Sequence, residues 1–281
     1  MISFFDRFAD TGYICAHRGA RSIAPENTLM AMGKAHLCGA DLWETDIQET
    51  AEGELVLFHD QTLERTTDVR ISPEFSVRSP WPLAEFTFAE LQKLDAGTWF
   101  LQSDPFESIA SGEVAKDDFS AIRTQKIPRL DDVLGKCRQD DFPINLEIKD
   151  QTGTRADRTI VRKILDLLKI SDTEQLVLIS SFNHDYLRQV KQLNASIATA
   201  ALVEKKHPDN LLIYLHNLEV DAYHPDQLIT DAALVRQLAN AGMRVNLWTV
   251  NDPERAQYFI NAGATFICTD WPQRMVGTTH S

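Results

Sequence analysis

Nine short apolar runs recur between segments of helical periodicity in this chain of 281 residues, at 13–16, 41–47, 55–58, 144–148, 176–180, 197–203, 220–223, 244–248 and 265–268. Runs of this length suit buried strands. Helical patterns fall at about residues 26–38, 130–138, 156–169, 185–193, 231–241 and 253–262, several opened by capping residues or closed by glycine. Alternation of strand and helix over this length predicts an α/β fold, a TIM-type (β/α)8 barrel rather than an open sheet.

The run count exceeds by one what such a barrel needs. Between Ile47 and Leu55 stands only Gln-Glu-Thr-Ala-Glu-Gly-Glu, too short for the crossover that joins parallel strands. These two runs are therefore expected to form an antiparallel hairpin turning near Gly53, which carries His59 back towards Glu44 and Asp46. From about residue 61 to 126 the rhythm breaks, and Pro73, Pro80, Pro82 and Pro105 suggest a long inserted excursion from one face. No linker divides the chain, so residues 1–281 are read as a single domain carrying that insertion.

A formal charge of -13, from 41 acidic against 28 basic residues, opposes attraction to nucleic acid or to an anionic membrane surface. If the substrate is a phosphate ester, positive charge must be supplied locally, by a few Arg or Lys or by a metal. Cys15, Cys38, Cys137 and Cys268 form no CxxC pair, which favours a reduced, intracellular chain. Asp6, Arg7 and Asp10 interrupt the stretch a signal peptide would need, and no apolar run reaches about 18 residues. A cytoplasmic location with no stable membrane association is the resulting expectation.

Four clusters carry chemistry. His17 and Arg18 end the first run, offering a proton shuttle and a planar fork for phosphate oxygens. In Trp43-Glu44-Thr45-Asp46-Ile47, the period of two puts both carboxylates on one side of a strand. Two acids pointing into a barrel repel each other without a cation, and they suit a hard divalent ion such as Mg²⁺ or Ca²⁺. His59 ends the third run. In Asn145-Leu146-Glu147-Ile148-Lys149, the hydrophobic residues face one way while Glu147 and Lys149 project to the other. Taken singly, each cluster also has an ordinary reading: a structural His-Arg pair, solvated edge acids, a structural ion pair. Buried charges on an inward strand face argue against packing alone. His36, His184, His207, His216, His224 and His280 have no partners at ligand spacing and are read mostly as surface or packing residues.

The ordered strings HRGA, PENT, GADLWETDIQ, LVLFHD, TLERTT, LDAGTWF, IPRLDDVL, INLEIK, SSF, VNLWTVND and ICTDWP resemble the bacterial glycerophosphodiester phosphodiesterase family from residue 16 to 272. Trp43 and Cys268 are unusual choices within it, and residues 101–125 match poorly. The resemblance implies a divalent metal, Mg²⁺ or Ca²⁺ with Mn²⁺ as a further choice, held by Glu44, Asp46 and Glu147. His17 and His59 would be the acid and base pair. Arg18 and Lys149 would hold the phosphate, and Trp248 and Phe182 would wall the glycerol moiety. The implied activity is metal-dependent hydrolysis of a small-molecule glycerophosphodiester to sn-glycerol 3-phosphate and an alcohol.

Two rivals stand beside it. A lysophospholipase D-like or cyclising phosphodiesterase on the same barrel would suggest a signal peptide, a disulfide or a more apolar entrance. A non-catalytic barrel binding phosphate esters would have lost a catalytic His or a metal ligand. The sequence leaves open the oligomeric state and which His is the base in the first step.

Overall fold

The computed structural model describes residues 3–9 and 11–275, so Asp10 and His280 lie outside the described residues. Its strands are β1 (Tyr13–Ala16), β2 (Leu42–Glu49), β3 (Leu55–Leu57), β4 (Ile144–Ile148), β5 (Val177–Ser181), β6 (Ala198–Val203), β7 (Ala222–Pro225), β8 (Arg244–Leu247) and β9 (Phe266–Thr269). All but β3 run parallel, and the β1–β2 and β1–β9 pairings close the ring into a TIM-type barrel.

Strand alternation places the core. Trp43, Ile47, Leu146 and Ile148 point outward and pack with Leu134 of the helix Leu130–Asp140 and Ile164 and Leu168 of the helix Ile160–Ser171. Inside the lower barrel, Leu42, Leu178, Ala198 and Phe266 meet Phe4 and Phe8 from the N-terminal turn. The Phe8 and Phe266 rings lie edge to face at 4.8 Å, so that end is closed by aromatic packing. Helix starts are fixed locally: Thr28, Asp231 and Asp252 each accept a backbone N–H of the first turn, contributions of about 1 kcal/mol each.

The hairpin forms as expected. β3 pairs antiparallel with β2, Ile47 opposite Leu57 and Glu49 opposite Leu55. Gly53 sits in the turn with φ 97°, a conformation that favours glycine. Past β3, Phe58 N donates to Asp46 O, and the Gln48 side chain donates to the carbonyls of Phe58 and Asp60. These bonds hold the His59 backbone alongside β2.

Residues 61–126 are more built than an excursion of turns. Short helical segments pack around Leu63, Phe75, Trp81, Leu83 and Phe86, which join Val56 and Phe58 of the hairpin. A second cluster sets Phe100, Val114 and Ile122 against Ile23 and Met30. Gly97 permits that contact, since a Cβ there would lie 1.7 Å from the Ile122 carbonyl oxygen. The expected helix at 26–38 is shorter, Leu29–Leu37, because Thr28 caps it. The helix Leu211–Leu218 was not expected, as its Leu-Leu-Ile-Tyr-Leu run carries no polar face at helical spacing. No helix of the described residues is long and apolar enough to cross a membrane, and the four cysteines are free.

Candidate active site

The carboxyl ends of the strands surround a cavity of about 440 Å³, where barrel loops ordinarily build active sites. His17, Arg18, Glu44, His59, Glu147, Lys149, Phe182 and Trp248 line it. Asp46 does not reach its wall, being buried at 1% exposure. The structure thus brings together every residue singled out in the sequence, with Asp46 set behind the others.

Among the described residues, Glu44, Asp46 and Glu147 bring ligand oxygens within 4.8 Å of one another. β2 and β4 are neighbours in register, Asp46 beside Glu147 and Glu44 beside Asn145. Glu44 Oε2 accepts from Arg18 N at 2.9 Å, while Glu44 Oε1 and Asp46 Oδ1 are buried with no hydrogen-bond partner. Burial, followed by the charges of Asp46 and Glu147, pushes the Glu44 carboxyl well above the ordinary carboxylate value. Glu147 is raised by burial against the opposing Lys149 ammonium. Asp46 moves the other way, since Lys149, Arg18 and an Asn27 hydrogen bond outweigh its burial. Buried carboxylate oxygens that accept no hydrogen bond fit a hard divalent cation such as Mg²⁺ or Ca²⁺.

Both histidines carry a carboxylate on Nδ1. His17 Nδ1 lies 2.7 Å from Asp270 Oδ1, and His59 Nδ1 lies 2.6 Å from Asp60 Oδ1. That partner fixes the ring and leaves Nε2 for the cavity. Each carboxylate is itself held. Asn251 Nδ2 donates to Asp270 at 2.8 Å, and Arg65 donates to both oxygens of Asp60. Burial, with the Arg18 charge beside it, lowers the His17 pKa even against Asp270, which favours the neutral imidazole.

The cations are engaged with acids. Lys149 Nζ donates to Glu147 Oε1 at 2.6 Å and lies 3.4 Å from Asp46 Oδ1. Arg18 donates to Glu26 Oε1 at 2.9 Å and brings Nε within 3.3 Å of Asp46. Glu26 also binds Arg65 through both of its oxygens, and against burial these guanidinium groups hold its pKa at about 2. Phe182 and Trp248 meet edge to face at 5.6 Å. The local cations are thus each paired with acids, so their charge is balanced within the site.

Residues 17–274 match the glycerophosphoryl diester phosphodiesterase family. The chain belongs to this family. A glycerophosphodiester phosphodiesterase of Caldanaerobacter subterraneus subsp. tengcongensis is 32% identical over 263 residues, covering 94% of this chain and 96% of that protein. A solved phosphodiesterase of Oleispira antarctica, in complex with the product sn-glycerol-3-phosphate, is 28% identical with a TM-score of 0.80, covering 96% of this chain and 97% of the other. A putative glycerophosphoryl diester phosphodiesterase of Silicibacter pomeroyi shares the fold at a TM-score of 0.84 and 23% identity, over 99% of this chain and 97% of that one.

Within this family member, the sequence reading missed the groups that position the predicted ones. Asp270 and Asp60 stood in quoted strings but were given no role. Asn27 donates to Asp46 Oδ2 at 2.8 Å while its Oδ1 accepts from Thr45 Oγ1. His184 and His207 are packing residues bonded to Tyr214 and Tyr223. His224 differs from the other histidines read as surface or packing: it is 1% exposed and lines the cavity.

Proposed function

We propose that this chain hydrolyses glycerophosphodiesters to sn-glycerol 3-phosphate and an alcohol, with His17 and His59 exchanging protons across a phosphate seated over the carboxylate cluster. The observation that carries this reading is the meeting of two carboxylate-backed imidazoles and three buried acids in one cavity. The Oleispira relative, solved with sn-glycerol-3-phosphate, supports the product.

A divalent cation on Glu44, Asp46 and Glu147, whether Mg²⁺, Ca²⁺ or Mn²⁺, would act as a Lewis acid on a phosphoryl oxygen and on the glycerol 2-hydroxyl. His17, neutral at Nε2, is suited to take the proton of that hydroxyl, and His59 to deliver one to the leaving oxygen. The 2-oxygen then bonds to phosphorus as the bond to the alcohol breaks, giving a cyclic phosphate. In the second step the roles reverse: His59 takes a proton from water, whose oxygen adds to phosphorus as the bond from phosphorus to the 2-oxygen breaks, and His17 returns its proton to the 2-oxygen. Arg18 and Lys149 neutralise the phosphate oxygens, and Trp248 with Phe182 walls the glycerol.

The test is a panel of glycerophosphodiesters with Mg²⁺, Ca²⁺, Mn²⁺ or chelator, scored for glycerol 3-phosphate. Release that depends on cation supports the reading. Activity only on lysophospholipids, or a cyclic end product, would favour the rival phosphodiesterase, and binding without turnover the non-catalytic barrel.

A further inference from the structure

Beside the carboxylates, the same cavity has a polar floor that the reaction does not use, Asn145 lying next to Glu44 and Ser180 next to Glu147 in register. Asn145, Ser180, His224 and Asn246 all line it, at 2%, 0%, 1% and 2% exposure. Asn145 Oδ1, Ser180 Oγ, His224 Nε2 and Asn246 Oδ1 have no hydrogen-bond partner. They come from four strands, turned inward by the alternation that sends Leu146, Ile179, Tyr223 and Val245 outward into the helical layer. Between them on the barrel wall stand Ala200 and Ala222, paired in register with each other and, through Ala200, with Ser180. Both alanines pack into the aromatic cluster of the lower barrel, and Leu202, on the same strand as Ala200, lines the cavity.

Buried polar atoms are costly without partners, so four around one void call for a guest. The floor carries no charge of its own. Burial drives the His224 pKa down to about 3, so the ring offers a neutral N–H and a lone pair, beside amides and a hydroxyl that both give and accept. Such a set suits an uncharged group that donates and accepts at once, and it suits an anion poorly.

We propose that Asn145, Ser180, His224 and Asn246 bind the primary hydroxyl of the substrate's glycerol, and so select substrates in which that hydroxyl is free. This rests on the phosphodiesterase reading. With the 2-hydroxyl at the carboxylates, the primary hydroxyl is the remaining polar group on the glycerol. Trp248, the proposed glycerol wall, ties directly to the floor, its Nε1 donating to His224 O at 2.8 Å. The variable alcohol then extends towards the mouth, past Phe182, which is 40% exposed. An acyl ester on the primary oxygen would remove the donor and press a chain against unpaired polar groups, so lysophospholipids are rejected by the floor itself.

The experiment compares kcat/KM of the cation-loaded full chain on sn-glycero-3-phosphocholine and on its 1-deoxy analogue, which keeps the 2-hydroxyl and the phosphodiester. Wild type is expected to prefer the first by about tenfold or more, chiefly through KM. Ser180→Ala and Asn246→Ala should each shrink that ratio several-fold. If Asn246→Ala fails to fold, Ser180→Ala, which removes a single oxygen, still reads the effect. Equal wild-type rates on the two substrates, or variants that slow both alike, would overturn the assignment, leaving the floor to water or to packing. Choline release from neither substrate would instead overturn the phosphodiesterase reading beneath it.

Discussion

His17 and Asp270 follow neighbouring parallel strands, β1 and β9, and the imidazole Nδ1 meets the carboxylate Oδ1 at 2.7 Å exactly where the first and last strands close the barrel. The orientation of the His17 ring therefore depends on barrel closure. His59 receives the same partner from its own next residue, Asp60.

Replacing Asp270 with Asn should lower kcat by roughly 10- to 100-fold while the fold persists. Its hydrogen bond and charge raise the His17 pKa against the effects of burial and Arg18, so their loss moves the acid limb of the kcat/KM profile to lower pH. A pH profile superimposable on the wild type would show that Asp270 does not act through His17.

Either His17→Ala or His59→Ala should cost about 10²- to 10⁴-fold in turnover with little change in melting temperature, since both rings border the cavity. Turnover and thermal unfolding, measured on one preparation, separate the two effects. A double replacement that remained active would contradict the two-histidine scheme.

The carboxylate cluster predicts a pH-dependent stability. Burial and neighbouring acids raise Glu44 above its ordinary value of 4.5. A carboxyl whose folded pKa exceeds the unfolded one contributes stability that is fully present below the unfolded value and is lost as pH rises through the folded one. In chelator, the wild-type melting temperature should thus fall relative to Glu44→Gln as pH climbs above about 4.5, and Mg²⁺ or Ca²⁺ should restore it. Parallel pH curves for the two proteins in chelator would refute the strained cluster.

Asn27 has φ 56° and bonds Asp46 and Thr45. Asn27→Ala leaves buried oxygens unpaired in a backbone conformation alanine dislikes, and should cost about 2 kcal/mol or more in urea unfolding. Activity should fall with it, because Asp46 loses its anchor. An unchanged midpoint would remove Asn27 from that role.

The parts of this design legible in the sequence were those with local periodicity. The alternation at Glu44 and Asp46, the short link around Gly53 and the inward Glu147 and Lys149 each follow from chain geometry. The pairings of His17 with Asp270 and of Arg65 with Glu26 join residues 253 and 39 positions apart, and no period reports them. The His224 side chain was invisible for another reason: a histidine facing outward and one facing the barrel axis differ by a single residue of strand register. Likewise, Leu211–Leu218 has too few polar residues for its helical face to stand out.

The central claim is that cation-dependent cleavage occurs between His17 and His59 over Glu44, Asp46 and Glu147. The most direct measurement follows sn-glycero-3-phosphocholine by phosphorus NMR with wild type, Glu44→Gln and the two alanine variants, each with cation and with chelator. The account predicts glycerol 3-phosphate from wild type with cation alone. Its formation at the wild-type rate in chelator, or by the histidine variants, would contradict it.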